Sequence, residues 1–129
     1  MNTDPLDDIF TSDSEIDPQL LAEILKSYVK INTDTNMIFY TDDGLELPLI
    51  DKITLFFVAR KALKYKGKIE DEGISPSEIV KQTSLKEGSV HPTLKNLRKQ
   101  GWIISKDGKY FLPSHQLNKI KNHFVQKTH

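Results

Sequence analysis

Ser75-Pro-Ser-Glu-Ile-Val-Lys-Gln-Thr-Ser-Leu-Lys-Glu-Gly-Ser-Val-His-Pro-Thr-Leu-Lys-Asn-Leu-Arg-Lys-Gln-Gly-Trp-Ile-Ile-Ser-Lys-Asp-Gly-Lys-Tyr-Phe-Leu112 is the stretch on which the fold turns. It opens on a helix start. The Ser75 hydroxyl can accept the free amide of Glu78, the Glu78 side chain can reach back, and Pro76 fits a first helical position that needs no donor. Ile79 and Val80 are core positions, and this helix ends near Thr83. Beyond a turn that holds Leu85, the residues Val90, Leu94 and Leu97 recur at i, i+4 and i+7. That spacing predicts a second helix from about Glu87 to Gln100, stopped by Gly101. Trp102–Ser105 and Lys109–Leu112 flank Lys106-Asp107-Gly108, the pattern of a tight β-hairpin.

Upstream, Pro48 opens an apolar helix from Leu49 to about Lys66, with Ile50, Ile53, Phe56, Phe57, Leu63 and the alanines facing inward and Gly67 ending it. Lys68–Gly73 reads as a polar connection, and Ile74 as one strand residue against the later hairpin. Asp17 and Pro18 cap and start an earlier helix whose stripe is Leu20, Leu21, Ile24, Leu25 and Tyr28. Val29–Ile31 can pair with Met37–Tyr40 across the turn formers Asn32–Asn36, which puts the end of that helix near Lys26. Thr41-Asp42-Asp43-Gly44 carries an Asp-Gly hairpin-turn signal. Downstream, Pro113 and Ser114 open an amphipathic helix with Leu117, Ile120 and Phe124 on one side. Residues 1–16 hold too little apolar surface to offset the entropy of ordering them and read as a flexible acidic arm.

Composition narrows the function classes. The chain has 129 residues and 37% hydrophobic content, enough for one modest core. It has no cysteine, which excludes disulfides, thiolate metal sites and a cysteine nucleophile. No apolar run approaches the ~20 residues of a membrane span, and the acidic start is unlike a signal peptide; the expectation is a soluble cytoplasmic protein. The formal net charge of zero hides a division. Residues 1–17 carry six acidic and no basic groups, whereas residues 51–129 carry sixteen basic and seven acidic ones. A basic region of this kind expects a polyanion or is simply a lysine-rich solvated surface.

The order helix, link, capped helix, turn, helix, hairpin is that of a winged helix-turn-helix. The predicted class is α+β, mostly α, with four parts: the arm 1–16, an N-terminal helix and β-hairpin at 17–46, the winged helix-turn-helix at 47–113, and a C-terminal helix at 114–129. Gly88-Ser-Val-His-Pro-Thr-Leu94, followed by Lys95-Asn-Leu-Arg-Lys-Gln-Gly101, resembles winged-helix transcription regulators of the PadR and MarR kind. The resemblance covers about half of the chain, and residues 1–46 match no family. It implies duplex-DNA binding and flanking helices that pack on the domain or join two copies.

With Val90, Leu94 and Leu97 inward, Gly88, Pro92, Lys95, Asn96 and Lys99 point outward, flanked by Ser89, His91 and Arg98. Lysine can contact phosphate or guanine, and asparagine can pair with adenine. Ser75 and Ser77 offer hydroxyls and amides to a phosphate, and Lys106 and Lys109 sit on the wing. The expected DNA-contacting set is Ser75, Ser77, Ser89, His91, Lys95, Asn96, Lys99, Lys106 and Lys109. An ordinary solvated helix face is also polar, so a protein-interaction winged helix is the alternative. Lys86 is a poor cap for the second helix, and Pro92 removes one backbone bond unless the first turn is irregular.

No phosphate loop, nucleophile elbow or carboxylate pair is present, so neither an enzyme nor a cofactor is expected. Asn32, Asp34 and Asn36 imitate the start of a calcium loop, but Met37 stands at its glycine position. The four histidines lack a ligand spacing, so no metal is expected. The expected partners are duplex DNA and a second copy in a homodimer. Leu6, Ile9 and Phe10 in the acidic arm could in addition dock a protein.

Overall fold

The computed structural model describes residues 5–6 and 16–127. Most of the acidic arm, including Ile9 and Phe10, lies outside the described residues; Leu6 is exposed. The class is α+β and mostly helical. In chain order the elements are α1 (Pro18–Leu25), β1 (Val29–Ile31), β2 (Ile38–Tyr40), α2 (Asp42–Leu45), α3 (Leu49–Tyr65), α4 (Pro76–Thr83), α5 (Glu87–Lys99), β3 (Ile104–Lys106), β4 (Lys109–Phe111), a 3-10 turn (Ser114–Gln116) and α6 (Leu117–Lys127). Each pair of strands forms its own two-stranded antiparallel sheet. This order is compatible with a winged-helix-like layout.

Local chemistry accounts for the element ends. The Asp17 carboxylate accepts the Gln19 amide at 3.0 Å, and Pro18 follows it as the first helical residue. β1 and β2 pair with Val29 opposite Tyr40 and Ile31 opposite Ile38, as the pattern around Asn32–Asn36 predicts. In that turn the Asn32 side chain accepts the amides of Asp34 and Thr35, at 2.8 and 3.0 Å, closing an Asx turn. The β3–β4 hairpin turns at Asp107 and Gly108, whose φ values of 54° and 78° match the type I′ turn that suits twisted strands.

One expectation fails. Thr41-Asp42-Asp43-Gly44 does not form a hairpin turn but opens the short helix α2. The Thr41 hydroxyl accepts the Gly44 amide at 3.1 Å as an N-cap and donates to the Ser27 carbonyl at 2.8 Å. Gly44 is buried against the start of β1, where an added Cβ would lie 2.2 Å from the Tyr28 carbonyl oxygen. The glycine therefore serves a close approach between backbones, not a reversal of the chain.

α3 is the central element. Ile53, Leu55, Phe56, Phe57, Val58 and Ala59 are all fully buried, so the helix is covered on nearly every side. α1 and α6 pack beside it: Leu21, Ile24 and Leu25 of α1 share one core with Leu117, Ile120 and Phe124 of α6, and with Ile79, Val90, Leu94 and Leu97 of α4 and α5. Tyr28 meets Phe124 with ring centroids 5.7 Å apart, and Lys121 lies 2.8 Å from Glu23. The Lys121 contact holds the Glu23 carboxyl below its ordinary range. The two stripes that sequence offered for joining copies are thus spent inside a single chain.

α3 also buries ionic groups. Lys61, 1% exposed, places Nζ 2.8 Å from Glu72 and 3.0 Å from the Ser114 hydroxyl. Asp51, 4% exposed, bonds His123 of α6 at 2.9 Å, and the His123 ring sits edge-on to Trp102. No buried side-chain nitrogen or oxygen lacks a partner among the described residues.

Breaking a buried pair strands the other charge, whereas replacing both members removes the penalty. Lys61→Met alone should cost about 3–5 kcal/mol in urea unfolding, and adding Glu72→Leu should recover most of it. A single variant as stable as the parent chain would show that Lys61 does not hold this junction.

Candidate nucleic-acid interface

α4, its turn and α5 set the candidate site. The Ser75 hydroxyl accepts the Glu78 amide at 3.3 Å. Ser84 ends α4 with a left-handed φ of 59°, and the Thr83 hydroxyl donates to the Ile79 carbonyl while accepting the Leu85 amide. The half-buried Leu85 anchors the turn in the core. α5 then starts at Glu87, with no side-chain cap from Lys86. The helix runs through the exposed Pro92, which sits six residues in and gives up one backbone bond.

The inward side of α5 is fixed: Val90, Leu94 and Leu97 are 0–1% exposed. The opposite side exposes His91, Pro92, Lys95, Asn96, Arg98 and Lys99. Five of the nine expected contact residues therefore share this helix, four of them exposed and Ser89 half-buried. Two have neighbours that bear on their chemistry. His91 lies 3.8 Å from Glu87, and the Asn96 side-chain oxygen Oδ1 accepts the Gln100 side-chain amide Nε2 at 2.9 Å. The Asn96 oxygen is thus shared with Gln100, and Gln100 enters the face as a residue that sequence reading left out.

The other four fare differently. The Ser75 hydroxyl is taken up by its cap and lies 3.2 Å from the Ser77 hydroxyl, so the two serines are not independent free donors. Lys106 and Lys109 face each other across the wing and are exposed. Lys109 is paired with Asp71 at 3.1 Å.

That pair belongs to a junction hidden in what reads as a polar connection. Arg60 on α3 donates to the Asp71 and Glu72 carbonyls at 3.0 and 2.9 Å. Ile74 exchanges two backbone bonds with Tyr110, at 2.8 and 2.9 Å, the single strand residue expected there. The β3–β4 hairpin is thereby tied through residues 71–74 to α3. The Asp71 bond to the Gly73 amide is a local turn that the sequence could have offered, but no ordinary sequence signal marks Arg60, whose partners are carbonyls, or the Lys109 partner of Asp71, 38 positions away.

Among the described residues no group of histidines or carboxylates is placed to hold a metal ion, and no helix is long and apolar enough to cross a membrane. No family model, curated protein or solved structure matches this chain.

The Asp71 carboxyl is held below its ordinary value, first by the Gly73 amide and then by Lys109. A depressed carboxyl contributes stability that is present above its unfolded pKa and lost as pH falls through the folded one. The contact between residue 71 and the wing should thus persist after unpaired aspartates have begun to protonate. A carbon-detected NMR titration of Asp71 should show a midpoint below that of a free aspartate; a midpoint at or above it would remove the contact from solution.

Proposed function

We propose that this chain is a winged-helix protein that binds duplex DNA, with α5 in the major groove and the β3–β4 wing on the adjacent backbone, and that it acts as a small transcriptional regulator. One observation carries the reading. A single helix, locked by three buried residues, exposes Lys95, Asn96, Arg98 and Lys99 together and is followed in the chain by a hairpin that exposes two lysines. Lysines there can neutralise phosphates, and Asn96 can present its amide to a base edge. The excess of basic groups beyond residue 50 favours the same partner. The resemblance to PadR- and MarR-like regulators points the same way.

A protein-interaction module is the second reading. It is favoured by the exposed apolar side chains Met37, Phe39 and Leu45 on the N-terminal hairpin and α2, a surface that DNA binding does not use. A homodimer belongs to the first reading, since twofold pairing doubles a short recognition element. Its interface would exclude Leu21, Ile24, Leu117, Ile120 and Phe124, which the single chain already buries.

Mobility shifts with random duplex at low salt separate the readings. In the DNA reading Lys95→Ala with Lys99→Ala weakens binding and flattens the salt dependence by about two units of slope. Asn96→Ala relaxes sequence preference at about 1–3 kcal/mol per affected base. A folded double-lysine variant that binds like the parent chain would reject α5 as the reader.

A further inference from the structure

We infer that Asp71 stands in for a DNA phosphate: it engages the wing lysine Lys109 in the free protein, and a duplex must displace it before the wing can close on the backbone. The inference rests on the DNA-binding reading and adds to it a restraint on loose contacts.

The carboxylate is held in place from two sides. Its Oδ2 meets the Lys109 ammonium at 3.1 Å, and its Oδ1 accepts the Gly73 amide at 2.8 Å. An amide and an ammonium converging on one anion are also the donors that a phosphate takes from a protein. The backbone beneath is fixed, because Arg60 holds the carbonyls of Asp71 and Glu72, while the buried Lys61 holds the Glu72 side chain. Asp71 is thus presented to the wing by a rigid support, while Lys109 gives up the rotamer freedom of a long, exposed side chain to meet it.

The shallow cleft here is walled by Asp71, Gly73, Lys106, Asp107, Lys109 and Phe111. In this lining two cations, Lys106 and Lys109, face two anions, Asp71 and Asp107, so Asp71 offsets part of the positive charge that the hairpin would otherwise turn toward a polyanion; Arg60 and Lys64 of α3 are the further cations acting on Asp71. Lys109 and Asp71 are 53% and 63% exposed, and exposed pairs of this kind are weak. A phosphate delivered by a duplex already seated on α5 can replace the carboxylate, whereas a transient encounter gains little. The pair therefore weakens nonspecific binding more than docked binding.

The test compares the parent chain, Asp71→Asn, Lys109→Gln and the double variant on random duplex across a salt series. Asparagine keeps the oxygen that accepts the Gly73 amide. Asp71→Asn should tighten binding about three- to tenfold at low salt and steepen the salt slope by about one unit. Most of that gain should vanish in the Lys109→Gln background. Without DNA, acetylation of Lys109 read by mass spectrometry should be faster in Asp71→Asn than in the parent chain. An equal gain in both backgrounds, no gain, or unchanged acetylation would overturn the restraint while leaving DNA binding intact. Failure of the parent chain to bind any duplex would instead remove the DNA reading and this inference with it.

Discussion

The ion pair between Lys61 and Glu72 is the constraint on which the rest of the structure depends. A lysine with 1% of its surface exposed cannot remain charged without close partners, and its partners come from two distant places. Glu72 belongs to the segment that leads into α4, and Ser114 to the turn that starts the last helix. By satisfying one buried ammonium, the chain fixes where α3, the α3–α4 connection and the entrance to α6 meet. Hydrophobic burial alone is indifferent to such details, since apolar contacts tolerate sliding. The directional bonds select one arrangement out of the many that would cover α3 equally well.

From that junction order spreads to the surface. Arg60, one residue earlier, holds the neighbouring carbonyls, and Ile74 pairs with Tyr110, so the hairpin at 104–111 is positioned by α3 and not merely by its own two strands. An isolated hairpin is marginal in water. This one gains a third backbone partner at Ile74, and Ile103 and Leu112 at its base are buried. α5 is held by its own apolar side. The helix and the hairpin are thus each tied into the same core, while Lys95, Asn96 and Lys99 of the helix and Lys106 and Lys109 of the hairpin stay exposed.

Much of this could be read from residues alone where the signals are local. Asp17-Pro18 and Ser75-Pro76 cap and start helices in the structure as their chemistry predicts; Asp107-Gly108 makes the expected turn, and Val90, Leu94 and Leu97 mark the buried side of α5. Thr41–Gly44 misled because threonine, aspartate and glycine serve both turns and helix caps. The choice between them was made by the distant Tyr28 carbonyl, against which Gly44 packs. Lys61 and Asp51 were illegible for a related reason. A charged residue on an otherwise apolar helix reads as its solvent side, and only the segments that return to cover it reveal otherwise. The same limit applied to Lys109 in the candidate interface: its place in the hairpin was clear, but its pairing with Asp71 is a matter of tertiary geometry.

The contact between α1 and α6 has a consequence for how the molecule folds. Glu23 of α1 against Lys121 of α6, and Tyr28 just after α1 against Phe124, join the two ends of the described helical core, closing nearly the whole intervening chain into one loop. Such contacts are the most separated in sequence, and their closure entropy is repaid only once the middle of the chain is already compact. α4, α5 and the hairpin also lean on α3, but through contacts closer in sequence than those that pair the outer helices. Truncating either helix would strip cover from the other and from α3 beneath both, so the central segment is not a module that can be lifted out intact.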